Sequence, residues 1–214
     1  MAATAATAQA PARRSQTERR ERTRNALLEA AARGLSRHGY ASLVLERVAS
    51  EAGYTRGALY HLFANKDDLA LAVVTWVDET WAAEVSGPAT ALADPVDALL
   101  AIARGHAVFC RRDVARVMNN LRVEFTDRDH PVARAIRDVT ERLIGLCAGR
   151  IAAARESGAI PPGPPPRETA LAYLGALEGL VILVAGRVPV DVELAERAAR
   201  GLLGLPPAGP RPGS

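Results

Sequence analysis

Between residues 39 and 69 the chain reads GYASLVLERVASEAGYTRGALYHLFANKDDL, and this stretch leaves little choice of local structure. Val44, Leu45, Val48, Ala49 and Ala52 recur at the three-and-four spacing of one helix face. Gly53 ends that helix, because the residue just past a helix commonly needs positive φ. Thr55 caps the next helix through its hydroxyl. Leu59, Leu62 and Phe63 give this second helix a buried side and leave Thr55, Arg56, Gly57, Tyr60 and His61 facing out. Two helices of this size joined by a tight glycine turn form a helix-turn-helix, whose second helix reads the DNA major groove.

Charge is distributed to suit that reading. From residue 11 to residue 66 there are eleven basic residues, ten Arg and Lys66, against five Glu. The net of +6 exceeds the +3 of the whole chain, so the remainder is −3. The densest part is Arg13, Arg14, Arg19, Arg20, Arg22 and Arg24, just ahead of the motif. A basic cluster in that place is a phosphate-binding footprint, and attraction of this kind carries no sequence preference. Preference must come from the second helix. Thr55, Arg56, Gly57 and His61 are expected at base edges, with Arg56 able to pair bidentately with a guanine. Tyr60 and Lys66 are expected on backbone phosphates. Ser42 joins the DNA-contacting set and also offers a hydroxyl to cap the first helix of the pair.

The rest of the chain predicts an all-α protein of about nine helices. Ala, Leu and Val dominate, aromatics are 4% of residues, and no stretch alternates with period two for long. A first helix is expected over 17–38 and a fourth over 66–85, broken by Gly87-Pro88. Asp94-Pro95 starts another well, as an N-cap followed by Pro at the first helical position. A shorter piece spans 114–125. From Pro131 to Glu156, Val132, Ile136, Val139, Leu143, Cys147 and Ile151 keep helical spacing. A stiff proline-rich connector at 158–166 precedes two last helices, over 167–187 and 191–203. This divides the chain into a tail (1–15), a three-helix helix-turn-helix domain (16–65), a C-terminal helical domain (66–204) and a second tail (205–214). Both tails are expected to be disordered.

Other chemistry finds little purchase. His38, His61, His106 and His130 lie in different elements, and none pairs with a Cys, Asp or His at metal-ligand spacing. Asp127, Asp129 and His130 read as a solvated turn. No glycine-rich phosphate loop follows a strand and no nucleophile elbow is present, so neither enzyme, cofactor nor metal is expected. Cys110 and Cys147 read as reduced thiols inside apolar helices. The N-terminus lacks the apolar core of a signal peptide, and the most apolar run carries Glu178 at its centre. The expectation is a cytoplasmic protein with no membrane partner.

That apolar run, ALAYLGALEGLVILVAG over 170–186, is apolar nearly all round. A helix of this profile is buried on most sides, either within one subunit or against a two-fold copy of itself. The second option places Leu174, Gly175, Leu177, Gly179 and Val181 at or beside a dimer interface, the glycines allowing close approach.

The order GY, an apolar-Ala step, AG, TRGALYHLF and NKDDL resembles the TetR family of bacterial transcriptional regulators. It departs from the family at Leu43-Val44, where a Thr or Ser usually caps the first helix of the pair. The resemblance implies a homodimer joined through its last two helices as a four-helix bundle, presenting two recognition helices to a palindromic operator. It also implies a small-molecule effector in the C-terminal domain, whose binding moves the fourth helix, and it favours repression. The effector set expected on helices four to eight is Trp76, Trp81, His106, Phe109, Met118, Arg122, Phe125 and Tyr173. These residues point to a hydrophobic or aromatic ligand, with Arg122 or His106 as anion contacts. A competing expectation keeps the same DNA-binding head but gives the C-terminal domain a protein partner.

Overall fold

Ser15 starts the first helix with a reciprocal cap. Its hydroxyl accepts from the Glu18 N–H at 3.2 Å and the Glu18 carboxylate accepts from the Ser15 N–H at 2.9 Å. In this computed structural model the chain is described over residues 15–184 and 187–209, and every regular element within them is helical. The expectations for 1–14, Arg13 and Arg14 included, and for 210–214 lie outside the described residues.

Helix α1 (Gln16–His38) buries Leu27, Leu28, Ala31 and Leu35. It ends at Gly39 with φ at +74°, where a Cβ would also lie 2.8 Å from the Glu124 carboxylate. α2 (Leu45–Glu51) and α3 (Arg56–Leu62) flank a turn at Gly53, whose φ is +77°. Thr55 caps α3 as expected, accepting from the Ala58 N–H at 3.2 Å.

The start of α2 differs from expectation. The N-cap is Val44, which makes no side-chain cap, while Ser42 stands exposed upstream. Leu43, donating its N–H to the Tyr40 carbonyl in a preceding turn, takes the buried place, so Val44 is 51% exposed instead of lying on the apolar face. Val44 already has the extended backbone of an N-cap, at φ −114° and ψ 119°. Val44→Thr therefore supplies the missing acceptor and should stabilise the fold by about 1 kcal/mol. A thermal melt should show this as a rise of about 2–4 °C.

α4 (Lys66–Trp81) is capped by Asn65, which accepts from the Asp68 N–H, with Asp67 and Asp68 in its first turn. Gly87-Pro88 does not break it. A π turn over Ala82–Ser86 carries the chain into one more turn, Gly87–Thr90, with Pro88 in its first positions. Pro88 has no N–H for the carbonyls one turn back, and the wider π turn, closed by the Gly87 N–H on the Ala82 carbonyl, makes room for its ring.

α5 (Pro95–Phe109) begins at Asp94, whose carboxylate accepts from Val96 and Asp97. A short 3₁₀ turn (Asp113–Arg116) leads into α6 (Val117–Glu124), and α7 occupies Pro131–Glu156 with His130 as N-cap. α8 (Pro166–Val184) and α9 (Val190–Leu202) complete nine helices among the described residues, counting the turns after α4 as its continuation. α5 packs on α7 and α9, α8 packs on α7 and α9, and α4 lies across α1 and α7. Tyr173 of α8 is fully buried and donates its hydroxyl to the Leu99 carbonyl of α5. Arg111, just past α5, holds the buried Asp191 of α9 through two bonds of 2.8 and 2.9 Å, which keeps that carboxyl below its usual range.

Candidate functional site

The outward side of α3 carries Thr55, Arg56, Gly57, Tyr60 and His61, all exposed. A Cβ on Gly57 would meet nothing nearer than the Thr55 hydroxyl at 3.9 Å, so the helix surface is open to close approach there. The Arg56 guanidinium lies 5.2 Å from the Tyr60 ring centre and its Nε is 3.2 Å from the Glu46 carboxylate. That pair is solvent-exposed and costs little to exchange for another acceptor. Lys66 is half-buried. Its ammonium donates to the Ala41 carbonyl at 2.9 Å and sits 4.5 Å from the centre of the Tyr40 ring, fixing the turn between α1 and α2. Two of its three donors are left for other partners.

A cavity of about 60 Å³ lies between α4, α5, α6, α7 and α8. Five of the eight expected side chains line it: Trp81, His106, Phe109, Met118 and Arg122. The other three do not. Phe125 is turned toward Tyr40, with ring centres 4.9 Å apart, and stacks on His130 at 4.4 Å. Tyr173 is spent on the core bond to Leu99, and Trp76, one helical step from Val77, leaves that neighbour to face the cavity. Val77, Ile102, Val139 and Leu177 complete the apolar wall.

The polar end of the cavity is built on Glu178, which the sequence marked only as a charge inside an apolar run. Its Oε2 accepts from Asn119 at 2.7 Å, and its Oε1 lies 3.8 Å from His106 Nε2. Trp81 donates its indole N–H to His106 Nδ1 at 3.2 Å, which assigns the ring proton to Nε2. Burial holds His106 below its usual pKa against the opposing pull of Glu178, so the ring is neutral. Burial first, and Glu178 second, push the Cys110 thiol up to about 12. It remains an unreactive thiol.

α6 joins this cavity to the helix-turn-helix. Met118, Asn119 and Arg122 face the cavity or its polar end. On its other side, the Asn120 amide donates to the Ser36 carbonyl at 2.7 Å. Glu124 accepts from the Tyr40 and Ala41 N–H groups at 2.5 and 2.6 Å. The Tyr40 hydroxyl donates to Asp67, and His130 Nε2 lies 3.5 Å from the same carboxylate. Burial, then the Asp67 contact, raise the Tyr40 phenol to about 12, so it stays a donor at any physiological pH. Glu124→Ala leaves two N–H groups without their acceptor and should cost about 1–3 kcal/mol, seen as a lower urea midpoint. Glu124→Gln keeps one acceptor and should cost less.

Residues 27–73, which run from the middle of α1 to the middle of α4, match the sequence profile described as "Bacterial regulatory proteins, tetR family". Over these residues the chain matches the TetR family. Over 69 residues it is 41% identical to the HTH-type transcriptional regulator CymR of Pseudomonas putida, a match covering 32% of this chain and 34% of that protein. The matched stretch thus spans about a third of the relative's length. Solved TetR-family folds extend the likeness to the C-terminal helices. A TetR-family transcriptional regulator from Streptomyces coelicolor superposes with a TM-score of 0.72 at 22% identity, over 86% of this chain and 95% of that one. AibR, solved with isovaleryl coenzyme A and operator DNA, gives 0.66 at 23% identity, over 87% and 100%. These structural likenesses establish the fold alone.

The expected dimer residues divide by face. Gly175 and Gly179 lie in the open on α8, where a Cβ would meet nothing within 4 Å. Leu177 and Val181 are 2% and 7% exposed, inside the protomer's own core, and Leu174 lines the cavity. The exposed apolar side chains beside the glycines are Leu171, Ile182 and Leu183, the last two at 65% and 80%. An apolar run with no polar face gives no phase to its helix, so the sequence could not tell inner from outer residues. Among the described residues, no helix is long and apolar enough to cross a membrane.

Proposed function

We propose that this protein is a sequence-specific DNA-binding regulator of the TetR family, a repressor that binds a palindromic operator as a homodimer and is released by a small effector. The observation that carries the proposal is the uncovered, Thr55-capped face of α3 beside a basic α1. On this reading residues 16–65 form the DNA-binding unit and 66–204 the effector-binding and dimerisation unit. Arg56 exchanges Glu46 for a base edge, Thr55, Gly57 and His61 lie along the groove, and Tyr60, Lys66 and Ser42 meet the backbone. The exposed stripe of Leu171, Gly175, Gly179, Ile182 and Leu183 supports a two-fold contact through α8 and α9.

The cavity supports effector gating in a particular way. Its free volume admits a few water molecules, well short of the roughly 300 Å³ of a small-molecule site. An effector must therefore open it, and opening displaces α6, which holds the α1–α2 turn. On this reading the ligand favours a more open conformation. Footprinting on the DNA upstream of the protein's own coding region tests this. A protected, salt-sensitive inverted repeat is expected, and protection that is uniform along the fragment would refute sequence-specific regulation.

A further inference from the structure

Glu178 is a carboxylate on the wall of an otherwise apolar cavity, its side chain 33% exposed, and its protein contacts leave one oxygen without a partner. Asn119 serves Oε2. Among the described residues no donor lies within hydrogen-bonding distance of Oε1, since His106 Nε2 is 3.8 Å away. The other acid on the wall, Asp78, is paired with Arg142. Glu178 has no such partner. His106 is neutral, with Nδ1 taken by Trp81 and Nε2 also within 3.5 Å of the Cys110 sulfur. Arg122 is exposed, at the cavity's edge, and its guanidinium donates to Asn119 and Thr140.

The sequence pointed to a hydrophobic or aromatic effector with Arg122 or His106 as anion contacts, and these positions argue against an anion there. An anion there would face the Glu178 carboxylate with a neutral imidazole beside it, and like charges repel, the more so as a ligand displaces water from the site. A cation there gains a charge-assisted bond to Oε1, and the Trp81 ring on the same wall adds favourable aromatic surface. We infer that the effector site takes a lipophilic organic cation, an ammonium-type nitrogen set against Glu178 with an aromatic or aliphatic body along the wall of Val77, Ile102, Phe109 and Leu177. The inference rests on the reading of this cavity as the effector site.

The test uses three slender probes of matched shape: 4-phenylbutylamine, 4-phenylbutan-1-ol and 4-phenylbutyrate. Each is titrated into the full chain by calorimetry and by tryptophan fluorescence, with operator release measured separately by anisotropy. The amine is expected to bind about tenfold more tightly than the alcohol and the butyrate most weakly, the advantage of one charge-assisted bond. Glu178→Gln keeps the shape and the Asn119 contact while removing the charge, and it should erase the amine's advantage. Equal binding of amine and alcohol, preference for the butyrate, binding of none, or an amine preference that survives Glu178→Gln would each overturn the inference. The two readings fail separately. Selective amine binding without operator release sustains the cation site and refutes gating, whereas release of DNA by the alcohol or butyrate alone sustains gating and refutes the cation site.

Discussion

Placing aspartate at both Ile182 and Leu183 is expected to leave the fold intact and abolish operator binding. The two side chains are 65% and 80% exposed in the protomer, so a charge there meets water and should change protomer stability by no more than an ordinary surface substitution. If the same stripe is the two-fold contact, four carboxylates are brought into one apolar interface, with no cation supplied to pair them. The dimer should separate into monomers by light scattering at micromolar concentration. Operator affinity should then fall by about 100-fold or more, because a linked second head normally raises avidity by 10²–10⁴. Non-specific DNA binding by a single head should survive. A variant that stays dimeric would move the interface elsewhere on the molecule.

Arg56→Ala carries the second large effect. Its guanidinium is on the first turn of α3, exposed, and held among the described residues by the exposed Glu46 carboxylate and the neighbouring Tyr60 ring. Neither contact is expensive to give up, so the side chain is free to pair with the O6 and N7 of a guanine. Loss of that pairing should cost about 1–3 kcal/mol per half-site and relax preference at one base position. Anisotropy titrations against operator and scrambled duplex separate the outcomes. Specific binding should drop while non-specific binding changes little, and an equal drop in both would make Arg56 a phosphate contact.

The sequence was most legible where one residue performs one local task. Thr55 capping α3, Asp94 with Pro95 opening α5, and the Val132-to-Ile151 spacing of α7 each depend on neighbours a few positions away, and the structure places them as read. It was less legible where the outcome depends on phase or on distant partners. Val44 and Leu43 exchange inside and outside because a turn at Tyr40 shifts the start of α2. Gly87-Pro88 reads as a stop, yet a π turn absorbs the proline. In the cavity, bulky side chains such as Trp81 and Phe109 were recognisable by size. Phe125 was equally bulky and serves the junction with Tyr40 and His130 instead. Glu178 was visible as an anomaly in an apolar run, but its role depends on Asn119 and His106, 59 and 72 positions away.

Selection of bound sequences from a random duplex library reads out how this protein recognises DNA. An inverted repeat is expected, with half-sites about one helical turn, roughly 10 base pairs, or a multiple of it apart. Each half-site should carry a guanine whose enrichment disappears with Arg56→Ala. Enrichment of no sequence, or of an asymmetric site that Arg56→Ala leaves unchanged, would contradict a two-fold reader of DNA built on α3.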